Sequence, residues 1–450
     1  WGLREDMVEN DYVLGWLLWG IGSDDKLKTD WIFKGGTCLK KCYIETYRFS
    51  EDLDFTVMPG GPVREADVLP ILQRVLQKVQ GASGISLTEQ APKLKTHESG
   101  LYTEGRVYYR GPRNAPQVAS VRLDLSASEK TVRPTVLRPI SHAFPDKLPS
   151  PATVRCYGFE EVFAEKIRAM GERSRPRDLY DIVNLFRRRD LQSQPMLIRQ
   201  VLIEKCVTKG VPVPTFANLE SSYFSAELEA EWKNMLAHQL ASLPPFASFW
   251  DELPRLFEWL ESKTVETELQ PILMRETADE GWSPPPTVWT WGTGKPIESI
   301  RFAAANQLVV ELGYGGSTRL IEPYAFRRTK EGNILLCAVK LATRESRTYR
   351  LDRIQSVKVT NSAFKPAFRV EIGSVGPISV PPLTRPTGAQ HYLGLGSGSR
   401  RSGTVHIFRC SSCRREFRKR KFDSTLKPHK ARGGRPCQSS YGQFVRTINN

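Results

Sequence analysis

Three aspartates and a glycine pair give the first chemical signal. The segment Arg48-Phe49-Ser50-Glu51-Asp52-Leu53-Asp54-Phe55 sets two carboxylates two residues apart in an alternating stretch that runs to Val57. On a strand, residues i and i+2 point the same way, so Asp52 and Asp54 share a face while Leu53, Phe55 and Val57 enter a core. Neighbouring carboxylates repel in water-poor surroundings, and a divalent cation removes that penalty. A third carboxylate sits in Val121-Arg122-Leu123-Asp124-Leu125-Ser126, where Asp124 faces away from the apolar side. Three convergent carboxylates can hold two Mg²⁺ ions, which clamp the attacking and leaving oxygens of a phosphoryl transfer. Upstream stands Phe33-Lys34-Gly35-Gly36-Thr37. A glycine pair before a helix lets the backbone approach phosphate, and the helix N–H groups and dipole favour the anion. An Asp-x-Asp alone also fits an exposed pair at a strand edge. The order strand, Gly-Gly, helix, Asp-x-Asp strand, later strand Asp is what defines a site.

A second constellation lies near the end. Cys410-x-x-Cys413 follows the strand-like Val405-His406-Ile407-Phe408, and His429 and Cys437 come after it. Two thiolates close in sequence and two later ligands suit a closed, structural Cys₃His zinc site in a region too small for a large core. His406 is the rival ligand, and a redox pair or free thiols is the bland alternative. Cys38, Cys42, Cys156, Cys206 and Cys337 are scattered and read as packing residues.

The elements that must position these groups follow from hydrophobic period. Glu9 to Ile21 reads as a helix, Trp31 to Phe33 as a strand, Thr37 to Tyr47 as a helix and Asp52 to Val57 as a strand. Leu69 to Val79 is amphipathic, and Val107 to Arg110 and Gln117 to Ser126 read as strands. Phe159 to Met170 and Arg177 to Arg188 read as helices joined at Arg175-Pro176, and further helices fit Ala226 to Ala241 and Phe246 to Glu261. Ser283-Pro284-Pro285-Pro286 reads as a linker. Ile297 to Ala303, Gln307 to Glu311, Ser317 to Pro323, Ile334 to Ala342 and Thr348 to Asp352 read as short strands of a small β domain, followed by a Gly/Ser linker at Gly394 to Gly403. The expected division is 1–240, a helical connector with the Pro-rich linker at 241–286, a β domain at 287–383, a linker at 384–403 and a zinc module at 404–450.

Glu9-Asn10-Asp11-Tyr12, Phe33-Lys34-Gly35-Gly36-Thr37-Cys38-Leu39 and Arg48 to Phe55 together resemble the AbiEii/AbiGii family of nucleotidyltransferase toxins. The resemblance continues through Glu160 to Ala169 and Arg175-Pro176-Arg177-Asp178-Leu179-Tyr180-Asp181. It covers roughly the first half of the chain. It implies an α/β, polymerase-beta-like nucleotidyltransferase fold with a helical subdomain, and a toxin of a toxin–antitoxin or phage-defence (abortive infection) system. Some members transfer nucleotides to tRNA acceptor ends, so the resemblance implies an NTP substrate, RNA as acceptor and an antitoxin protein as partner. It assigns Asp52 and Asp54 to metal and triphosphate. Asp124 would complete the metal site and help deprotonate the acceptor hydroxyl, and Lys166 would neutralise phosphate charge. Lys34, Gly35, Gly36, Thr37, Arg48 and Ser50 become nucleotide-binding candidates. Asp178 and Asp181 are three apart, share a helix face, and would orient Lys166 or bind the base. For Asp178, a carboxylate stabilised by the helix dipole is an equal alternative.

Ile321 to Tyr324, Gly332 to Ala342 and Arg347 to Ile354 resemble a WYL domain, a Sm-like β-barrel that senses ligands, often nucleic acid or nucleotides. Ile334-Leu335-Leu336 stands where the naming Trp-Tyr-Leu would be. Arg347, Tyr349, Arg350 and Arg353 form a candidate basic, aromatic-bearing surface; alternating exposed arginines on a strand fit equally.

Composition bounds the rest. The chain has 450 residues, a net charge of +16, 40% hydrophobic and 25% charged residues. That is globular composition for about three domains. Residues 400–450 carry 14 Lys and Arg against Glu416 and Asp423, a net of +12, which leaves +4 for the remainder. Phe408, Phe417, Phe422 and Tyr441 interleave with that charge, so Arg414, Arg415, Arg418, Lys419, Arg420 and Lys421 are nucleic-acid candidates. Eight cysteines are too few for a disulfide scaffold. The apolar stretch Tyr12 to Ile21 is about half of what spans a bilayer, and the opening residues lack the features of a secretory signal. Cytoplasmic placement without membrane contact is the expectation, in a chain whose start at Trp1 suggests a fragment or processed form. The competing reading is a nucleic-acid-binding regulator on an inactive transferase-like scaffold, which would not need Asp52, Asp54, Asp124 and Lys166 together. Nucleotidylation of a protein shares the chemistry and differs in acceptor.

Overall fold

The computed structural model describes residues 4–44, 48–188, 194–220, 224–262, 269–274, 279 and 297–371. Near the C-terminus it describes 404–410, 412–413, 415–419, 426, 429–430, 436–437 and 442–449. The expected linkers at 283–286 and 394–403, and Arg414, Arg420 and Lys421, lie outside the described residues. The chain divides into two compact units, 1–393 and 394–450.

The first unit opens with α1 (Glu5–Gly22), α2 (Leu27–Asp30), β1 (Trp31–Lys34), α3 (Gly35–Cys38), β2 (Asp52–Val57) and α4 (Glu65–Ser83). It continues with β3 (Lys93–Thr96), β4 (Tyr102–Tyr109), β5 (Ala119–Ser126), β6 (Val136–Pro139) and β7 (Thr153–Cys156), then α5 (Phe159–Arg173), α6 (Pro176–Arg187) and α7 (Pro195–Lys209). The seven strands form one mixed sheet in the order β3-β4-β5-β2-β1-β7-β6. Period-2 alternation drives it: Leu53 and Phe55 of β2 and Val121, Leu123 and Leu125 of β5 are buried on one side. In α4, Val68, Leu72, Val75, Leu76 and Val79 form a helical stripe, each fully buried residue contributing roughly 1.5–3 kcal/mol. That stripe packs on α1, where a Cβ on Gly20 would lie 2.4 Å from the Val79 side chain.

Two expectations need correcting. The helix expected over 37–47 starts earlier, at Gly35, and after Cys38 widens into a π-turn over Leu39–Tyr43 that ends at extended Ile44. Lys41 in that turn is buried, and its ammonium lies 2.8 Å from both the carboxylate and the carbonyl oxygen of Asp11 on α1, which anchors it. The segment expected as a strand over 297–303 is a helix, Ile297–Ala305. Its spacing of Ile297, Ile300, Ala303 and Ala304 is helical, and the alanine run favours helix over strand. The short strands β3, β6 and β7 and the fifteen-residue helix α7 had no clear sequence signal.

After that helix come β8 (Leu308–Tyr314), β9 (Ser317–Arg328), β10 (Ile334–Lys340), β11 (Ser346–Arg350) and β12 (Ile354–Ala363). They form an antiparallel sheet in the order β11-β10-β9-β8-β12. Leu335 to Val339 of β10, an interior strand, are all buried, as a strand covered on both faces requires.

In the second unit, β13 (Thr404–Cys410) pairs with β14 (Glu416–Lys419) and β17 (Gly442–Asn449), and β15 (His429–Lys430) pairs with β16 (Pro436–Cys437). No helix among the described residues is long and apolar enough to cross a membrane.

Candidate active site

β2 lies between β1 and β5. It runs parallel to β5 with Asp54 opposite Asp124, and antiparallel to β1 with Asp54 opposite Lys34. Directly paired residues share a face, so Asp52, Asp54 and Asp124 lie on the same side of the sheet. That register favours the transferase over the scaffold reading, which would tolerate Asp124 on the opposite side.

Gly35 is the reason this face can be approached. Its φ is +80°, and a Cβ there would fall 2.1 Å from Asp54 Oδ2. Only glycine allows the turn and the carboxylate to coexist. At Gly36 an added Cβ would meet Arg48 Nη2 at 2.7 Å and Ser50 Oγ at 3.2 Å, which brings both groups to the glycine turn. The Thr37 hydroxyl is buried and donates to the Asp52 carbonyl, so it ties the turn to β2.

Burial, joined by Asp52 and Asp124 and opposed by Lys34 and Lys166, pushes the Asp54 carboxyl up to about 6. Burial and Glu51 raise Asp52 as well. Arg122 turns onto Asp124, its Nε 3.1 Å from Oδ2. The donor set is thus three carboxylates, one strained by its neighbours and one already met by a cation, which is the chemistry a divalent ion answers. Among the described residues, the groups whose ligand atoms all lie within 4.8 Å of one another are instead two cysteine-based clusters. The aspartates share a face without being drawn that close, as unscreened like charges would be expected to do.

Behind them is a buried charge network. Lys166 on α5 lies 2.7 Å from Asp181 Oδ2 and 3.5 Å from Asp178 Oδ1. Arg48 grips Asp181 with Nε at 2.9 Å and Nη2 at 3.1 Å, and Arg173 grips Asp178 at 2.8 and 3.0 Å. Burial lowers Lys166 to about 8, against the pull of Asp178. Burial alone would raise Asp178, but Lys166 and Arg173 outweigh it and hold the carboxyl below its usual value. Lys34 lies 3.4 Å from Glu129 and 3.5 Å from Glu165. Asp178 and Asp181 of α6 thus both pair with Lys166 of α5, as the first of the two roles expected of them requires.

The β domain reaches this network. Tyr180, between Asp178 and Asp181, donates to Asn306 Oδ1 at 2.7 Å, both residues buried, and its ring stacks on Phe249. Gln239 accepts from Arg48 Nη1 at 3.0 Å. Its neighbour Ser242 donates to the carbonyl of Thr360 on β12. Sequence reasoning missed Gln239, Asn306, Glu129, Glu165 and Arg173. Their partners lie up to 191 residues away and follow no spacing rule.

On the β domain, Tyr349 is buried and packs edge-on against Tyr314, which removes it from the expected nucleic-acid surface. A tyrosine on a paired strand with an aromatic partner goes to the core. Arg347 and Arg350 are on the surface and pair with Glu345 and Asp352.

In the second unit Cys410, Cys413, His429 and Cys437 bring four ligand atoms within 4.8 Å of one another. Cys410 Sγ is 3.7 Å from Cys437 Sγ, and Cys413 Sγ is 3.3 Å from His429 Nε2. A tetrahedral ion with ~2.3 Å bonds to sulfur spaces its sulfurs by about 3.8 Å. Arg415 and Arg418 are exposed beside this cluster. The other cluster is Cys38, Cys42 and Cys156, fully buried. The sequence presents these three as scattered; the π-turn and β7 bring them together in the core.

The mixed sheet, glycine turn and aspartate face describe a nucleotidyltransferase with an appended β domain, and comparison with known proteins agrees. The chain matches the family model of the nucleotidyl transferase AbiEii toxin of type IV toxin–antitoxin systems over residues 16–261, and the WYL domain over residues 297–359. It belongs to the AbiEii nucleotidyltransferase toxin family. Among solved structures it is similar to MenT4, a nucleotidyltransferase toxin from Mycobacterium tuberculosis, with 20% identity, 58% of this chain and 85% of that chain covered, and a TM-score of 0.36. It is also similar to proteasome accessory factor B/C of Arthrobacter aurescens, with 12% identity, 41% and 23% covered, and a TM-score of 0.16. No curated protein matches.

Proposed function

We propose that the chain transfers a nucleoside monophosphate from an NTP to an acceptor hydroxyl, the 3′ end of an RNA such as tRNA, as a cytoplasmic toxin restrained by an antitoxin protein. The observation that carries this is the placing of Asp52, Asp54 and Asp124 on one face, with the Gly35 backbone against Asp54. Mg²⁺ fits these carboxylates and would supply Lewis-acid polarisation of the transferring phosphate. The residues themselves do the following. The Gly35-Gly36 turn and the start of α3 receive the triphosphate, and Ser50 stands beside them. Asp124 accepts the proton of the acceptor hydroxyl as it attacks the α-phosphate, and pyrophosphate leaves. Lys166, held by Asp178 and Asp181, and Lys34, held by Glu129 and Glu165, set a positive field behind the leaving group.

The tail reads as a separate docking module. Zn²⁺ fits Cys410, Cys413, His429 and Cys437 and would close that fold, presenting Arg415, Arg418 and Lys419 to phosphate backbones, with Arg347 and Arg350 a second basic surface. Incubation with labelled nucleotides, Mg²⁺ and total RNA tests the enzymatic reading. Wild type should label an RNA species that an Asp52→Ala/Asp54→Ala variant does not. Equal labelling, or labelling of protein alone, contradicts it.

A further inference from the structure

The cations that line the carboxylates are nearly all neutralised. Lys34 meets Glu129 and Glu165, Arg48 meets Asp181, Lys166 meets Asp178 and Asp181, Arg173 meets Asp178, and Arg122 meets Asp124. Arg177 is different. It stands in the first turn of α6, next to Asp178, half-buried. Its Nε is buried without a hydrogen-bond partner, and among the described residues its guanidinium has neither a hydrogen bond nor an ion pair. Arg175, two residues before it, is exposed to solvent.

Three physical effects oppose a charge at this place. Burial and the nearby Arg48 both lower its affinity for its proton. A cation in the first turn of a helix also opposes the helix dipole. Glu51 and Asp52 act on it from a distance, without direct pairing. A charged group held against its local preference, beside the proposed transferase site, points to a ligand contact. An anion answers all three effects together, and the planar fork of arginine suits two phosphate oxygens.

We propose that Arg177 binds the triphosphate tail of the incoming nucleotide, taking non-bridging oxygens of the β- and γ-phosphates. This rests on the transferase reading and names the residue that distinguishes a triphosphate from a monophosphate. Arg48 stays with Asp181 and Lys166 acts through its field from its place against Asp178 and Asp181, which leaves direct contact with the phosphate oxygens to Arg177.

Calorimetric titration of the full chain with each of ATP, CTP, GTP and UTP, and with the matching monophosphates, in Mg²⁺, tests it. Arg177→Gln should weaken triphosphate binding about ten- to a hundredfold and monophosphate binding about twofold or less. Its melting temperature without nucleotide should be unchanged or higher, because a half-buried, unpaired charge is gone. Arg177→Lys should recover part of the loss. A structural arginine would lower the melting temperature and weaken both ligands alike, and that result overturns the proposal. Triphosphate affinity equal to wild type in Arg177→Gln also overturns it. If wild type binds no triphosphate, the transferase reading fails together with this one; a failure confined to Arg177 leaves that reading standing.

Discussion

Replacing Asp54 by Asn should make the metal-free protein more stable and inactive at once. Asp54 lies between Lys34 and Asp124 on the sheet, and burial together with Asp52 and Asp124 moves its carboxyl from 3.8 up to about 6. Each pKa unit corresponds to ~1.4 kcal/mol. Ionised Asp54 therefore costs the fold up to about 3 kcal/mol, and solvent reaching a half-buried group brings this to roughly 1–3 kcal/mol. Asn keeps the shape and removes the charge. Lys34 retains Glu129 and Glu165, so no cation is orphaned. The sign follows from linkage. The folded chain holds a proton on Asp54 that the unfolded chain releases, so this contribution is complete below about 3.8 and is lost as pH rises through about 6. Urea unfolding in EDTA at pH 7.5 should show Asp54→Asn about 1–3 kcal/mol more stable than wild type, with a smaller loss of stability between pH 4 and 7. Added Mg²⁺ should stabilise wild type and not the variant. A variant less stable than wild type in EDTA, or one stabilised by Mg²⁺ to the same degree, would refute the reasoning.

Gly35→Ala should abolish nucleotide transfer and cost about 1–3 kcal/mol in urea unfolding, because its Cβ collides with Asp54 at a positive φ. Removing zinc with a strong chelator, or Cys413→Ser, should unfold the 404–450 segment, since a structural zinc contributes about 10 kcal/mol or more to such a module. Metal analysis should find one zinc per chain in wild type, and proteolysis should then cut the tail while the first unit stays intact. Asn306→Ala removes the acceptor of the hydrogen bond that ties the Tyr180 hydroxyl to the β domain, at a cost of about 1–3 kcal/mol. It should also raise the KM for nucleotide, because Tyr180 lies between Asp178 and Asp181; an unchanged KM would separate the β domain from the site.

The sequence shows the site's face and hides its support. Asp52, Asp54 and Asp124 were legible because strand alternation is local, and the glycine turn because only glycine tolerates the contact with Asp54. The parallel pairing of β2 with β5 was not legible, although it decides whether Asp124 can join the others. The helix at Ile297–Ala305 was missed because a short apolar run fits both periods. The basic stretch around Tyr349 fits a surface aromatic equally well; its burial against Tyr314 is set by strand pairing. Arg48, Lys166, Asp178 and Asp181 all stand in legible motifs, yet the ion pair of Arg48 with Asp181 and the part of Gln239 in the network join segments far apart in the chain. Arg177 was visible as a basic residue in a motif. Its lack of a partner is a property of the fold alone.

Which phosphate the acceptor receives is the most direct test of the central claim. Reactions with NTP labelled at the α-phosphate and, separately, at the γ-phosphate should be run with purified RNA acceptors and the products resolved by size. The account predicts label at the RNA 3′ end from the α-phosphate, none from the γ-phosphate, and one pyrophosphate released per nucleotide added. Transfer of the γ-label, or no transfer of either under conditions where wild type binds triphosphate, would contradict it.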